Sequence, residues 1–398
     1  MNCQEEVHQL GRSHNKSKFA LELNEESCSS CAVCSSACPF EAIQKDPETG
    51  KVLLEIEKCQ VCAICYSSCP AKAIDIIYYD MHSLTRYLEN AKEEYESDSL
   101  VIMCKGSAPD FQDVDKQFGV SRFIPLSVPC VGRIPPELLL KAISPLGIKK
   151  IYILACDDDY CRFERGSAIT GYRIRALNVF LEQFGYAKEL IKLKQNSLKV
   201  KADRNKCISC GNCVFYCPYD ASKLEHGAAS FDLELCRGCG LCVTLCPALA
   251  LDLEHWEEDR ISALISELPK EKEKANILVL RCQWSVFPGL DEEFDSNVHV
   301  IDVPCAGRVD PLHILEALQN GVDGILIAAC PEEDCKSKTG SKEAQRSTTA
   351  LKKTLSQIGL EERLHFCSVA PRYPEAFREE LKQFKVRIEI ACSREARQ

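Results

Sequence analysis

The sequence predicts a multidomain protein of mixed α+β and α/β class, in which two small cysteine-rich modules alternate with two small parallel-sheet α/β modules. Two observations lead to this fold. First, 27 cysteines stand in a chain of 398 residues of otherwise ordinary composition, and most of them fall into repeated motifs. Second, short apolar runs alternate with helical periodicity between the motifs, which is typical of a parallel sheet covered by helices. Cysteines in the two halves correspond at an offset of about 179 residues, so we interpret the chain as an internal tandem duplication.

The overall charge and the N-terminus exclude several classes of protein. A net charge of -10 disfavours a nucleic-acid partner, because phosphate backbones are bound by basic surfaces. Residues 1–12 lack the basic start and apolar stretch of a secretory signal, and no apolar run is long enough to span a membrane. We therefore expect a cytoplasmic protein without direct membrane insertion. In that reducing compartment the cysteines should be metal ligands, redox groups or small core residues rather than disulfides.

Four cysteine motifs share the spacing Cys-x-x-Cys-x-x-Cys-x-x-x-Cys-Pro. They are Cys28, Cys31, Cys34 and Cys38; Cys59, Cys62, Cys65 and Cys69; Cys207, Cys210, Cys213 and Cys217; and Cys236, Cys239, Cys242 and Cys246. Zinc sites use paired Cys-x-x-Cys knuckles and need neither the third cysteine nor the proline, so zinc is disfavoured here. The spacing resembles the bacterial ferredoxin motif, which holds cubane [4Fe-4S] clusters.

The ferredoxin resemblance implies crossed ligand sets, because the fourth cysteine of each run binds the neighbouring cluster. The implied sets are Cys28, Cys31, Cys34 and Cys69; Cys38, Cys59, Cys62 and Cys65; Cys207, Cys210, Cys213 and Cys246; and Cys217, Cys236, Cys239 and Cys242. The flanking segments fit such modules. Residues 19–23 and 73–78 can pair as strands, and residues 46–50 form a turn between two further short strands. The second module repeats this with residues 198–202 and 250–253 and with a hairpin around His226 and Gly227.

Eight further cysteines form a second duplicated pattern. They are Cys104, Cys130, Cys156 and Cys161 in the first half and Cys282, Cys305, Cys330 and Cys335 in the second. Most of them come directly after apolar runs, and Pro136 and Pro311 stand where a helix would begin. A second helix should run from about Gly166 to Phe184, with Gly185 ending it. Since sites form at the carboxyl ends of parallel strands, we expect each set of four thiols to gather there as a metal site.

The segments around this second pattern resemble the iron-sulfur delta subunit of methyl-viologen-reducing hydrogenase, which couples a hydrogenase to heterodisulfide reductase. The resemblance rests on the Pro-Cys-x-Gly-Arg motif, the helix proline, the Cys-x4-Cys pair and the capped helix, and it covers about residues 98–190 and 276–372. It implies a [2Fe-2S] cluster in each segment. Ser107 and Ser285 stand where the family usually has a further cysteine. A four-thiolate zinc site would show the same pattern, so zinc remains open here.

Several residues allow a structural or a functional interpretation. Arg133 and Arg308 follow their cysteines by three positions, where they could tune a cluster or lie on the surface beside an acid. The acidic runs 157–159 and 332–334 are expected to be solvated loops. The remaining cysteines, Cys3, Cys367 and Cys392, are interpreted as small buried residues.

These features predict an iron-sulfur electron-transfer subunit with four [4Fe-4S] and two probable [2Fe-2S] clusters. The expected modules are 18–80 and 198–254, which are ferredoxin-like, and 81–197 and 255–398, which are hydrogenase-delta-like. We assign no catalytic residue and expect a non-catalytic subunit. The family resemblance implies partners in an anaerobe, namely a heterodisulfide-reductase-like flavoprotein and a hydrogenase or formate dehydrogenase. Two alternatives stay open: a reductase with its active site at one four-cysteine site, and a redox or metal regulator.

Overall fold

The two cysteine-rich modules consist of short helices and two-stranded antiparallel sheets. The computed structural model describes residues 19–106, 114–269, 271, 274–287 and 294–395. The first module contains β1 (Leu21–Leu23), α1 (Val33–Ala37), β2 (Ile43–Lys45), β3 (Val52–Leu54), α2 (Ile64–Ser68) and β4 (Ile74–Ile76). The second contains β9 (Val200–Ala202), α7 (Asn212–Phe215), β10 (Ser222–Glu225), β11 (Ala228–Phe231), α8 (Leu241–Thr244) and β12 (Leu251–Leu253). The outer strands pair as the sequence predicts, β1 with β4 and β9 with β12.

The α/β segment after the first module contains a four-stranded parallel sheet in the order β6-β5-β7-β8. Its elements are α3 (Met81–Tyr95), β5 (Ser99–Cys104), α4 (Val114–Phe118), β6 (Ile124–Val128), α5 (Pro136–Ile143), β7 (Lys150–Ala155), α6 (Gly166–Gln183) and β8 (Ile191–Gln195). Proline begins α5 because its missing N–H costs nothing in the first helical turn. The predicted end of α6 is confirmed, since Gly185 follows it with φ +82°.

The second α/β segment has a four-stranded parallel sheet in the order β14-β13-β15-β16. Its elements are α9 (Glu258–Ser266), β13 (Ile277–Cys282), β14 (Val298–Val303), α10 (Pro311–Gln319), β15 (Gly324–Ala329), α11 (Gly340–Leu355), β16 (Leu364–Ser368) and α12 (Pro374–Glu395). The strand order is the same as in the first sheet. The chain is thus a mixed α/β protein that joins parallel-sheet regions to ferredoxin-like modules.

Alternate residues of the central strands enter different apolar clusters, because successive side chains of a strand point to opposite faces. On β5, Val101 and Met103 pack in a small cluster on one face of the sheet, while Leu100 and Ile102 enter a large cluster on the other. The large cluster also contains alternate residues of β13 and residues of the first cysteine-rich module. Cys104 and Cys282 belong to this shared cluster, so both α/β cysteine groups face the interior between the modules.

No helix within the described ranges is long and apolar enough to cross a membrane.

Candidate cysteine sites

Each of the four cysteine loops has the same unusual backbone. The second cysteine lies between two residues with positive φ, such as Ser30 (φ 53°) and Ala32 (φ 60°) on either side of Cys31. The corresponding pairs are Val61 and Ala63, Ser209 and Gly211, and Gly238 and Gly240. For a residue with a Cβ this left-handed conformation costs roughly 1–2 kcal/mol. The first two loops carry this strain at both positions and the third at Ser209, whereas glycines adopt the conformation without it in the fourth. Successive residues in such turn conformations can direct backbone N–H groups toward an anion.

The cysteines of these loops come together in the crossed sets that the ferredoxin spacing predicts. Three cavities are lined by four cysteines each: Cys28, Cys31, Cys34 and Cys69; Cys207, Cys210, Cys213 and Cys246; and Cys217, Cys236, Cys239 and Cys242. In the fourth set burial raises the pKa of the Cys65 thiol, and the nearby charges of Cys62, Cys59 and Cys38 raise it further. Backbone N–H groups point at several of the sulfurs, for example Ala73 N to Cys69 Sγ at 3.3 Å.

One set in each module lies near the surface and the other lies inside. In the first module Cys31 is exposed, whereas Cys59, Cys62 and Cys65 are buried. Burial raises the pKa of Cys59 to about 11 and that of Cys62 to about 12. In the second module Cys210 is exposed and burial raises the pKa of Cys239 to about 11. We call these sets the outer and inner sites of each module.

The α/β cysteines also assemble, at the carboxyl ends of the parallel strands as predicted. Cys104 ends β5, Cys156 follows β7, and their sulfurs are 3.4 Å apart. Hydrogen bonds from Cys130 and Cys156 lower the pKa of Cys161, which completes the group. We call these four cysteines site 1. The equivalent group is site 2, where Cys282 Sγ lies 3.6 Å from Cys330 Sγ and Cys305 lowers the pKa of Cys335 to about 6.

A glycine leaves room beside each of these two sites. A Cβ on Gly166, the first residue of α6, would lie 2.3 Å from Cys130 Sγ. A Cβ on Gly340, the first residue of α11, would lie 2.2 Å from Cys305 Sγ. Any other residue would overlap the sulfur, because real Cβ atoms do not approach so closely. The thiol groups and the glycine space beside them fit a small thiolate-bound metal centre.

Two buried arginines, Arg133 and Arg308, place positive charge beside the inner cysteine sites. Arg133 and Arg308 are fully buried, and the Nε and Nη1 atoms of both lack a hydrogen-bond partner among the described residues. Arg133 Nη2 donates to Tyr78 O at 2.7 Å, and Arg308 Nη2 donates to Glu258 at 2.8 Å. Burial lowers the pKa of Arg133, while the charges of Cys130 and Cys62 oppose that shift. Glu258 supplies a counter-charge for Arg308, and an anionic thiolate cluster would supply one for the unpartnered nitrogens of both arginines. The surface position expected in one interpretation is wrong for both residues, although Arg308 does pair with an acid as that interpretation expected.

Each α/β site lies directly against the inner site of the ferredoxin-like module that precedes it in the chain. A Cβ on Gly132 would be 3.1 Å from Ile64, which stands between Cys62 and Cys65. A Cβ on Gly307 would be 3.2 Å from Leu241, which stands between Cys239 and Cys242. The four groups of residues therefore form two neighbouring pairs of sites.

Some features of the site were not predicted. Asp334 belongs to an acidic run expected to be solvated, yet its side chain is only 9% exposed and pairs with Arg372. Arg162 and Lys336, each the residue after the last cysteine of an α/β site, contact cysteine loops of the other half. The sequence feature that could have indicated this role is that both residues are cations at the same position, directly after the last cysteine of an α/β site. Ser285 donates its hydroxyl hydrogen bond to Cys282 O and Ala328 O, while Ser107 and Cys3 lie outside the described residues.

Comparison with known proteins shows which family the chain belongs to. The model of the methyl-viologen-reducing hydrogenase delta subunit matches residues 102–209 and 277–390, which include all eight cysteines of sites 1 and 2. The chain belongs to this family. The model of a 4Fe-4S dicluster domain matches residues 20–85 and 199–247, which include all four cysteine loops. The chain therefore carries 4Fe-4S dicluster domains.

Curated relatives of this chain are named as subunits of two kinds of enzyme, heterodisulfide reductase and hydrogenase. Half of the chain is 33% identical, over 205 residues, to one subunit of the ferredoxin/F420H2-dependent CoB-CoM heterodisulfide reductase of Methanosarcina acetivorans, and covers 26% of that protein. A stretch of 97 residues, 23% of the chain, is 36% identical to an iron-sulfur subunit of the F420-non-reducing hydrogenase of Archaeoglobus profundus and covers 71% of it. The corresponding subunit of the ferredoxin:CoB-CoM heterodisulfide reductase of Methanosarcina mazei is 30% identical over 205 residues, which are 50% of the chain and 26% of that protein. The chain thus spans about a quarter of the length of both heterodisulfide reductase proteins.

Proposed function

We propose that this chain is an iron-sulfur electron-transfer subunit that relays electrons between partner oxidoreductase subunits. The observation that carries the proposal is the assembly of six cysteine groups in one chain, four in the crossed ferredoxin arrangement and two at the ends of parallel strands. We interpret the repeated strand order and the repeated cysteine offsets as a tandem duplication of one ferredoxin-like and one delta-like unit. The module boundaries that we propose are those predicted from the sequence, namely 18–80, 81–197, 198–254 and 255–398.

We assign [4Fe-4S] clusters to the four crossed sets and [2Fe-2S] clusters to sites 1 and 2. When bound, such clusters supply reversible one-electron oxidation and reduction. The protein contributes the thiolates, the backbone N–H groups around the sulfurs and the buried charges of Arg133 and Arg308. Its apolar core excludes water from the inner sites, and the exposed Cys31 and Cys210 bring the outer sites near the surface.

Electron entry and exit would take place where a site approaches the surface. The outer site of each module contains an exposed cysteine. The outer and inner sites share their two loops, because each loop gives three cysteines to one site and its fourth cysteine to the other. The inner site in turn lies against an α/β site through Ile64 or Leu241. Each half therefore offers a path from the surface to the interior through three neighbouring sites.

The relatives support partners of the oxidoreductase class. Those relatives are subunits of heterodisulfide reductase and hydrogenase systems, and with the family resemblance of the sequence they lead us to propose a heterodisulfide-reductase-like flavoprotein and a hydrogenase or formate dehydrogenase as partners. The setting we propose is the cytoplasm of an anaerobe, because thiolate clusters persist where cysteines stay reduced. We assign no catalytic residue to this chain.

Cluster content tests the cofactor assignment. Anaerobically prepared chain should contain about twenty irons, since four cubanes and two binuclear clusters bind that number. Iron and zinc analysis with Mössbauer spectroscopy measures it. About sixteen irons accompanied by two zinc ions would reject the binuclear assignment and keep the cubanes, and a chain without cubanes would overturn the proposed function.

The absence of catalytic activity in the isolated chain tests the proposed electron-transfer function. Purified chain reduced with dithionite should pass electrons to artificial dyes, because every proposed site is a thiolate set suited to electron transfer. It should not reduce disulfides, oxidise hydrogen or formate, or use NADH until partner subunits are added. Steady turnover of one of these substrates by the isolated, flavin-free chain would favour a reductase instead. A chain that loses its metals in every reduction cycle would favour a regulator.

A further inference from the structure

Arg162 links three cysteine sites that belong to different halves of the chain. It follows Cys161 of site 1, and its Nη1 donates a hydrogen bond to Lys336 O at 2.7 Å, in the residue that follows Cys335 of site 2. Its Nη2 donates to the carbonyl oxygen of Arg237, which stands between Cys236 and Cys239 of the second inner site. One guanidinium thus bonds to the ligand loops of two sites while it is covalently next to the third.

Lys336 makes the corresponding contact in the opposite direction. It stands 174 residues after Arg162 and directly follows Cys335 of site 2. Its Nζ lies 4.6 Å from the centre of the Phe40 ring, which comes two residues after Cys38 of the first inner site. The same Nζ lies 5.0 Å from the Phe163 ring beside site 1. In each half, therefore, one positively charged side chain next to the α/β site extends toward the inner site of the other half.

The region around these two cations is closed by aromatic rings. Phe163 packs edge to face on Trp284 with ring centres 5.6 Å apart, and both are buried. Tyr219 donates its hydroxyl hydrogen bond to Lys336 O at 3.0 Å and also contacts Arg162. Because Arg162 and Lys336 are partly buried among these rings, their charges act on neighbouring groups more strongly than fully exposed charges do. The charge of Arg162 accordingly acts on the thiols of both Cys156 and Cys239.

We propose that Arg162 is a positioning residue that sets the reduction potentials of site 1 and of the second inner site together, and so makes the two halves one electron-transfer network. This inference rests on the proposed function, since it requires clusters at both sites. The transfer it supports is one electron from one cluster, which is oxidised, to the other, which is reduced; no bond forms or breaks. Lys336 has the same role for site 2 and the first inner site.

Potentials of the loaded chain test the proposal. In Arg162→Met the partly buried positive charge is lost, so at a fixed solution potential the ratio of reduced to oxidised centres should fall about tenfold at site 1 and at the second inner site. Redox titration followed by electron paramagnetic resonance measures this ratio for the binuclear and cubane signals separately. Arg162→Lys keeps the charge and should restore most of the ratio. In Lys336→Met the other binuclear signal and the other inner cubane should shift.

Controls separate this inference from the proposed function. Arg378→Met removes an exposed arginine of α12 that pairs with Glu375, far along the chain from every cysteine site, and should leave all signals unchanged. If the native chain holds no clusters, the proposed function fails before the variants are compared. If clusters are present and Arg162→Met shifts neither signal, or shifts every signal equally, the inference is wrong. If Arg162→Met does not assemble its clusters, Lys336→Met is titrated in its place. A titration curve of Lys336→Met that is identical to the wild-type curve would then show that the inference is wrong.

Discussion

Replacing Cys69 by alanine should remove the outer cluster of the first module and leave the inner one in place. Cys69 lies in the loop of the inner site, but its sulfur lines the cavity shared with Cys28, Cys31 and Cys34. Without that thiolate one iron of the outer cubane has no protein ligand. We expect the cluster not to assemble, with a loss of about four irons. Iron analysis and Mössbauer spectroscopy of the anaerobic variant measure the loss.

A comparison of double variants identifies which cubane is lost. Cys31→Ala removes a ligand of the same outer set, so adding it to Cys69→Ala should cost little further iron, because the two changes act on one site. Adding Cys65→Ala, which belongs to the inner set, should remove about four more. The reverse pattern would show that the fourth cysteine binds within its own loop. Cys392→Ala, a cysteine of α12 outside the proposed sites, is the matched control and should retain full iron content.

Replacing Gly166 by alanine should abolish metal binding at site 1. The added Cβ would lie 2.3 Å from Cys130 Sγ, which is inside van der Waals contact, so the thiol must leave its position or the helix must shift. We expect about two irons fewer and the loss of one of the two binuclear signals. The same variant identifies which of those signals belongs to site 1.

Gly171→Ala is the matched control on the same helix. Its Cβ would meet Arg175 Nη1 at 3.4 Å and Leu193 at 3.7 Å, which are ordinary contacts. Alanine is also the better helix former, so this variant should keep its clusters and gain up to about 1 kcal/mol in the free energy of unfolding. Normal iron content in Gly166→Ala would contradict the placement of Cys130 at a metal centre.

The parts of the sites that lie within one loop or follow one strand could be predicted from the sequence. The Cys-x-x-Cys-x-x-Cys spacing determines a tight loop, and the repetition of the motif points to its partner loop. Cys104 and Cys156 were predicted to meet because both follow buried strands of a parallel sheet, and the carboxyl ends of such strands lie at one edge.

Contacts between segments that are far apart in the sequence could not be predicted in this way. Arg133 looked equally suited to the surface and to the interior, but its turn packs against α2 and α6, its Nη2 donates to Tyr78 O, and its side chain is fully buried. Asp334 was expected in solvent because its run is acidic, but Arg372 pairs with it and Gln60 of the first cysteine-rich module donates a hydrogen bond to it. Such pairings depend on how distant segments meet in the folded chain, and no local pattern encodes that arrangement.

The apolar clusters divide the molecule differently from the repeated motifs. One continuous cluster joins the first ferredoxin-like module to both α/β sheets, for example through Ile64, Leu100 and Leu278. The second ferredoxin-like module has a separate cluster, built around Leu198, Val243 and Leu253. The two copies of one sequence pattern are thus packed differently: the first shares the common core, whereas the second has its own core and meets site 2 through Cys239, Leu241 and Cys305. We therefore expect the second copy to open locally at a lower free energy than the first, whose opening would also require the common core to open.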